Sequence, residues 1–244
     1  MIEIYLLSVT ALRCKDLYEQ ACLKLDSQRL QKVKQAKRTE DKILRMGAGL
    51  LLQYAMKKQL EDTAKESPVF AYNAESLCCK QVSLEEVLSA VREPLEFAFR
   101  YGSHGKPYFE QYPELFFSLS HSGEYVLCAI SDREIGADIQ KIPETDLKRV
   151  KRENTIIEKF FSDGEKAWCQ GGEAQHRERF YKIWAAKEAY MKLTGKGLAQ
   201  GFDSFEVDLE KAKVKEQERA EKKCVVYEVK APKEYAIAIS MREE

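Results

Sequence analysis

The run Trp184-Ala185-Ala186-Lys187-Glu188-Ala189-Tyr190-Met191-Lys192-Leu193-Thr194-Gly195-Lys196-Gly197 constrains this chain more than any other stretch. It reads as a helix that ends at a glycine stop, because glycine takes the left-handed conformation that closes a helix without steric cost. Glu188 and Lys192 are four apart and share a face, with Trp184 one turn earlier and Lys187 beside that face. Phe180 and Trp184 lie on the same face as Glu188, so that face is at least half buried, and a buried carboxylate needs a partner or a metal. A carboxylate able to hold a metal or accept a proton is thereby set beside cations able to hold phosphate. A second motif upstream, Gly136-Ala137-Asp138-Ile139-Gln140, offers another carboxylate.

At 244 residues the chain is long enough for a substantial core, in one domain or two small ones. Lys+Arg and Asp+Glu both total 40, so global charge gives no argument for nucleic acid or an anionic membrane as partner. No apolar run approaches the roughly 18–20 residues that span a bilayer, and the start, Met1-Ile2-Glu3-Ile4-Tyr5-Leu6-Leu7, reads as a strand rather than a signal peptide. The seven cysteines are odd in number and form no Cys-x-x-Cys pair. That pattern suits reduced thiols in a cytoplasm. With only three histidines, His104, His121 and His176, a His-rich zinc site is disfavoured. A metal here would be held by oxygen, which favours magnesium or manganese.

The pattern along the chain predicts an α+β protein. Strands are expected over residues 2–8, 95–101, 115–120, 125–131, 135–140, 202–209, 224–230 and 235–240. Helices are expected over 11–24, from the Asp26-Ser27 cap to about Leu60, and over 83–91, 144–160, 163–170 and 178–194. The small residues of Met46-Gly47-Ala48-Gly49 allow another element close to the long N-terminal helix. Residues 63–82 read as a linker, and the Lys/Glu-rich run 210–223 as a turn or solvated hairpin tip. Glu124-Tyr125-Val126-Leu127-Cys128-Ala129-Ile130-Ser131 echoes Glu234-Tyr235-Ala236-Ile237-Ala238-Ile239-Ser240. The echo suggests two similar α+β halves, residues 1–134 and 135–244, with the ligand expected in the crevice between them.

Each candidate residue carries a bland reading beside the functional one. A helical Glu-Lys pair at four-residue spacing is most often a solvated pair worth about 0.3–0.5 kcal/mol. Asp138 interrupts an apolar strand, either to bond a nearby backbone amide or to ligate a metal together with Glu188. Gln140 shares its strand face and offers an amide oxygen to the metal or to a metal-bound water. Ser118-Leu119-Ser120-His121-Ser122-Gly123 reads as a strand end and polar turn that either caps itself or binds an anion. Neighbouring residues on a strand point apart and no Gly-x-Ser-x-Gly elbow occurs, so Ser120 and His121 do not form a hydrolase pair. Lys106 sits on the stiff loop Gly105-Lys106-Pro107. Lys32, Lys34, Lys37, Arg38, Lys42 and Arg45 form a basic stripe that is either a solvated face or a hold on a nucleotide's phosphates.

Five pieces in order resemble the phosphopantetheinyl transferases of the surfactin-synthetase-activating (Sfp) type. They are Gly105-Lys106-Pro107; Phe117-Ser118-Leu119-Ser120-His121-Ser122-Gly123; Ile135-Gly136-Ala137-Asp138-Ile139; Phe160-Phe161-Ser162-x-x-Glu165; and Trp184-x-x-Lys187-Glu188-Ala189-x-x-Lys192-x-x-Gly195-Lys196-Gly197. The correspondence covers most of residues 25–209. It implies a pseudo-twofold α+β fold with coenzyme A in the cleft between halves. The implied activity is transfer of the phosphopantetheine arm of coenzyme A to a serine of an acyl or peptidyl carrier protein (holo-[acyl-carrier-protein] synthase chemistry), releasing adenosine 3′,5′-bisphosphate. By resemblance Asp138 and Glu188 hold magnesium, and Lys192 contacts the phosphate and assists the leaving group. Lys106, Ser120 and His121 bind the phosphates of coenzyme A, basic residues of the stripe such as Arg38 and Arg45 reach its nucleotide end, and Phe160-Phe161 lies near the carrier-protein surface. Many members carry Glu where this chain has Gln140, which removes one negative charge from the site. The reading is thus a monomeric, cytoplasmic, magnesium-dependent transferase that binds neither nucleic acid nor membrane. Its rival is a non-catalytic module that binds coenzyme A or a carrier protein.

Overall fold

The structure, a computed structural model, describes residues 1–62, 77–144, 146–216 and 223–243. The contacts divide the chain into two compact units. The first is Met1–Arg100 with Pro107–Asp132, and the second is Tyr101–Lys106 with Arg133–Glu244.

In the first unit β1 (Ile2–Ser8) lies between β2 (Lys80–Val82), which is parallel to it, and the antiparallel β6 (Tyr125–Ser131). β5 (Phe116–Ser122) completes a sheet of order β2-β1-β6-β5. The expected helix over 11–24 is a short 3-10 turn at Thr10–Arg13 followed by α1 (Lys15–Cys22). The charged helix expected to run unbroken to about Leu60 is two helices, α2 (Ser27–Gln35) and α3 (Thr39–Asp62). Asp26 caps α2 by accepting from the amide of Arg29, and Ala36 turns extended to end it. The charges explain the break: Lys32 and Lys34 lie in the last turn of α2, and Glu40 and Asp41 in the first turn of α3, where each sign complements its helix end. The small residues of α3 do admit neighbours. A Cβ on Gly47 would stand 2.3 Å from Val9 Cγ1 and 3.4 Å from Val126 Cγ2 on β6.

The helix expected over 83–91 is α4 (Leu84–Ala90), with Ser83 as its cap, accepting from the Glu86 amide. The strand expected from Leu95 is confined to β3 (Phe99–Tyr101), which pairs with β4 (Pro107–Phe109). Phe97, Phe99, Phe109 and Phe117 pack ring against ring there, with centroids 4.6–5.9 Å apart.

The second unit holds β7 (Ile135–Lys141), α5 (Leu147–Phe160), α6 (Asp163–Cys169) and α7 (Glu173–Thr194). These are followed by the hairpin of β8 (Phe205–Asp208) and β9 (Lys213–Glu216), then β10 (Cys224–Val229) and β11 (Tyr235–Arg242). β11 is central in an antiparallel sheet of order β10-β11-β7. The echo between residues 124–131 and 234–240 thus falls on β6 and β11, each a strand with partners on both sides. The run 210–223, expected as a turn, contains β9; its residues 217–222 lie outside the described residues, as do 63–76 of the expected linker. α7 starts five residues earlier than expected; its first two turns are mostly exposed, and from Phe180 on it is largely buried, through Phe180, Ile183, Ala185, Ala186, Ala189, Tyr190, Met191 and Leu193. It stops at Gly195, whose φ of +69° is the left-handed cap that the sequence anticipates.

The approach of α7 to β7 is closest at Gly136. A Cβ there would lie 2.0 Å from the Ala189 carbonyl oxygen and 2.3 Å from the Leu193 nitrogen, both backbone atoms that cannot step aside. Among the described residues no helix is long and apolar enough to cross a membrane. Gly136→Ala is expected to force helix and strand apart and to lower the unfolding free energy by about 1–3 kcal/mol or more. Urea denaturation with an unchanged m-value would measure it, and a loss under about 0.5 kcal/mol would contradict the close approach.

Candidate active site

β7 pairs Asp138 with Ala238 and Gln140 with Ala236 of β11, so both polar side chains stand on the strand face of the same parity. Asp138 is 3% exposed in an otherwise apolar strand. One of its oxygens, Oδ1, accepts from Lys192 Nζ at 2.7 Å, and the other, Oδ2, accepts from Gln140 Nε2 at 2.7 Å. The Asp138–Lys192 bond is charge-assisted and half shielded from water, hence stronger than a surface pair. Gln140, expected to turn its oxygen to a metal, turns its amide nitrogen to Asp138; its amide oxygen is the remaining donor atom.

Glu188 is half-buried one turn before Lys192 on α7. Its carboxyl is held above the ordinary 4.5, first by burial and then by the negative charge of Asp138, against the opposing pull of Lys192. Two carboxylates close enough to repel, compensated by one ammonium, form a site that favours more positive charge. The donor set fits a hard dication: carboxylate oxygens of Asp138 and Glu188 with the amide oxygen of Gln140. Among the described residues no group of three or more His, Cys, Asp or Glu gathers. Water or substrate oxygens would supply the other ligands, the usual arrangement for magnesium.

Lys187 goes elsewhere. The sequence sets it beside the Glu188 face as a second cation for phosphate. In the structure it is fully buried and turned away from that face, paired to Glu165 Oε1 at 2.9 Å. Adjacent helical positions point about 100° apart, and Glu165 with the Phe202 and Phe205 carbonyls holds the ammonium inside.

Lys106 belongs to the second unit, and its stem lies against Gly195. Its ammonium donates to the Leu193 carbonyl at 2.8 Å and the Ile135 carbonyl at 3.2 Å, so it caps the end of α7 and ties it to the start of β7. Burial pulls its pKa down to about 8, partly opposed by Glu134. Ser120, His121, Arg38 and Arg45 lie in the first unit. β5 continues through Ser122, so His121 and Ser122 are strand residues and the turn is Gly123-Glu124, with φ of +58° at Gly123. Ser120 is buried and His121 exposed, as alternation requires. Arg38 is exposed at the break before α3, and Arg45 donates to the Lys32 carbonyl at 3.1 Å, bracing the α2–α3 corner.

A cavity of about 520 Å³ opens beside Gln140. Its lining includes Tyr181 and Trp184 of α7, Lys141, and Lys148, Arg149 and Arg152 of α5. The cavity itself was not legible in the sequence. One available signal was the spacing 181, 184, 188, 192, a single stripe along α7. Of Phe160 and Phe161, expected near a partner surface, Phe161 is buried against Phe180 at 5.6 Å, while Phe160 is half-buried against Phe202 at 5.9 Å.

Residues 134–240 match the model of the 4′-phosphopantetheinyl transferase superfamily. The chain is 38% identical over 112 residues to the 4′-phosphopantetheinyl transferase gsp of Aneurinibacillus migulanus, covering 45% of this chain and 43% of that one. It is 36% identical over 118 residues to a 4′-phosphopantetheinyl transferase of Bacillus subtilis, covering 48% and 50%. With psf-1 of Bacillus pumilus the identity is 40% over 114 residues, covering 46% of each. The chain therefore matches over about half the length of these curated relatives. A solved holo-(acyl-carrier-protein) synthase from Bacillus anthracis is 24% identical, with a TM-score of 0.36 over 46% of this chain and 96% of that chain, a likeness too slight to carry an argument. The family model and these relatives bear out the family resemblance over about half of the chain.

Titration of Glu188 by carboxyl NMR is expected to give a midpoint above its ordinary value. Asp138→Asn removes a repelling charge and moves the midpoint down; Lys192→Met removes an attracting one and moves it up. A midpoint insensitive to both substitutions would show that the three groups do not share one field.

Proposed function

We propose, for a chain whose residues 134–240 match the model of the 4′-phosphopantetheinyl transferase superfamily, that this protein moves the phosphopantetheine arm of coenzyme A onto a serine of an acyl or peptidyl carrier protein. The single observation that supports this best is the convergence of Asp138, Gln140, Glu188 and Lys192 on one side of the β7–α7 pair. In the reaction the serine oxygen attacks the phosphorus that bears the pantetheine arm. The new O–P bond forms as the bond to adenosine 3′,5′-bisphosphate breaks, and the serine proton passes to Glu188 or to a water that Glu188 orients. Lys192 neutralises charge on the leaving oxygen.

Asp138 and Glu188, with the Gln140 oxygen, would hold magnesium. Once bound, the ion would neutralise the pyrophosphate oxygens. Ser120, His121 and Lys106 are assigned to the phosphates of coenzyme A, and Arg38 and Arg45 to its nucleotide end. Lys106 would have to share its ammonium with two carbonyls to do so. The enzyme is read as a monomer of two halves, 1–134 and 135–244. Its setting is read as the cytoplasm, where seven free thiols stay reduced. Nucleic acid and membrane are not among its partners in this reading. The carrier protein, commonly acidic, would dock on Lys148, Arg149, Lys151 and Arg152, all on α5.

Intact-mass spectrometry of apo carrier protein incubated with this protein, coenzyme A and magnesium tests the proposal. A gain of one phosphopantetheine that disappears in Glu188→Ala is the expected result. Coenzyme A binding with no gain on several carrier types would point instead to a non-catalytic module. Replacing the four basic residues of α5 with Ala is expected to raise the KM for carrier about tenfold or more while sparing that for coenzyme A. Unchanged carrier kinetics would move the docking surface elsewhere.

A further inference from the structure

Lys187 and Glu165 are both fully buried, and every polar atom of the pair has work in the structure. Lys187 Nζ donates to Glu165 Oε1 at 2.9 Å, to the Phe202 carbonyl at 2.8 Å and to the Phe205 carbonyl at 2.7 Å. An ammonium has three protons, and these are its three acceptors. Glu165 Oε1 also accepts from the Val207 amide at 2.8 Å, and Oε2 accepts from the Ser162 amide at 2.8 Å, closing the capping box of α6. One ion pair therefore joins α6, β8, the segment 202–205 and α7.

The carbonyl that Lys187 holds belongs to Phe202, whose ring lies flat on Trp184, 4.5 Å between centroids and 9° between planes. Phe180 stacks near Trp184 at 6.1 Å, and Phe160 packs on Phe202 at 5.9 Å. Trp184 in turn lines the cavity beside Gln140, together with Arg149 and Arg152. The path runs from a buried ammonium, through one backbone carbonyl and its own side chain, to the aromatic wall of the cavity. A buried ion pair is seldom retained for stability alone, since apolar replacements of like volume are often neutral. This one fixes where a segment lies.

We propose that the Lys187–Glu165 pair is a positioning device that sets the Trp184 wall through Phe202 and thereby the affinity for the carrier protein, not for coenzyme A. The inference rests on the proposed transfer and on carrier docking at α5, but the position of Trp184 can be read without either.

Trp184 is one of two tryptophans, so Trp168→Phe leaves it alone as a reporter. In that background Lys187→Met is expected to lose most of the near-ultraviolet circular dichroism of Trp184. The KM for carrier should rise about tenfold, with that for coenzyme A within about twofold. Glu165→Gln, which removes the charge and keeps a hydrogen-bonding side chain, should shift both readouts the same way and serves where Lys187→Met fails to fold. Phe202→Leu keeps the carbonyl and removes the ring, so it should reproduce the carrier effect with the ion pair intact. A Trp184 band unchanged in Lys187→Met or Glu165→Gln overturns the proposal, as does an unchanged carrier KM in Phe202→Leu. If the unaltered protein transfers nothing, the functional reading fails while the Trp184 band still decides the positioning.

Discussion

The second unit depends on how closely α7 can lie on β7. Only a residue without a side chain fits at Gly136, where the Ala189 carbonyl and the Leu193 amide occupy the space of a Cβ. That contact brings Lys192 within hydrogen-bonding distance of Asp138 and places Glu188 in the same electrostatic field. A methyl group at Gly136 would disturb the candidate site through the backbone without touching any of its charges. Lys106 bonds the same two elements at the end of the helix, through the Leu193 and Ile135 carbonyls. The glycine and the lysine thus hold helix and strand from opposite directions, one by yielding space and the other by supplying donors.

Adjacent residues of α7 meet opposite environments. Glu188 faces β7 at partial exposure, where a carboxyl can exchange protons or take an ion. Lys187, one residue earlier, is fully buried, where a charge survives only because three acceptors surround it. The helix carries its chemistry on one face and its anchorage on the neighbouring one. The long span of α7, from Glu173 to Thr194, lets the stripe Tyr181, Trp184, Glu188, Lys192 run from the cavity beside α5 to the site at Asp138.

Gln140 places an uncharged side chain beside Asp138 where the resemblance leads one to expect a carboxylate. A carboxylate in its place would stand beside Asp138 and Glu188 and add to their repulsion. The amide instead donates to Asp138 and leaves an oxygen as its contribution to the donor set. The number of negative charges falls while the oxygen donors remain, which in the proposed enzyme weakens the hold on a dication without dismantling its site.

Local patterns in the sequence decided a good deal. The glycine stop at Gly195, the cap at Asp26 and the placement of Glu188 and Lys192 one turn apart are properties of residues close in the chain, and the structure has each of them. The motif order was enough to mark the family resemblance. Tertiary structure decided the rest. The break between α2 and α3 was written in the charges, yet a continuous helical pattern concealed it. The continuation of β5 through Ser122 came from pairing with β6. The inward turn of Lys187 depended on Glu165 and on two carbonyls 15 and 18 residues away, and the cavity wall at Trp184 on a ring from the segment before β8. Periodicity tells which residues share a face, but what that face meets is set by elements distant in the chain. For a residue such as Lys187, the partner it meets decides whether its charge serves chemistry or packing.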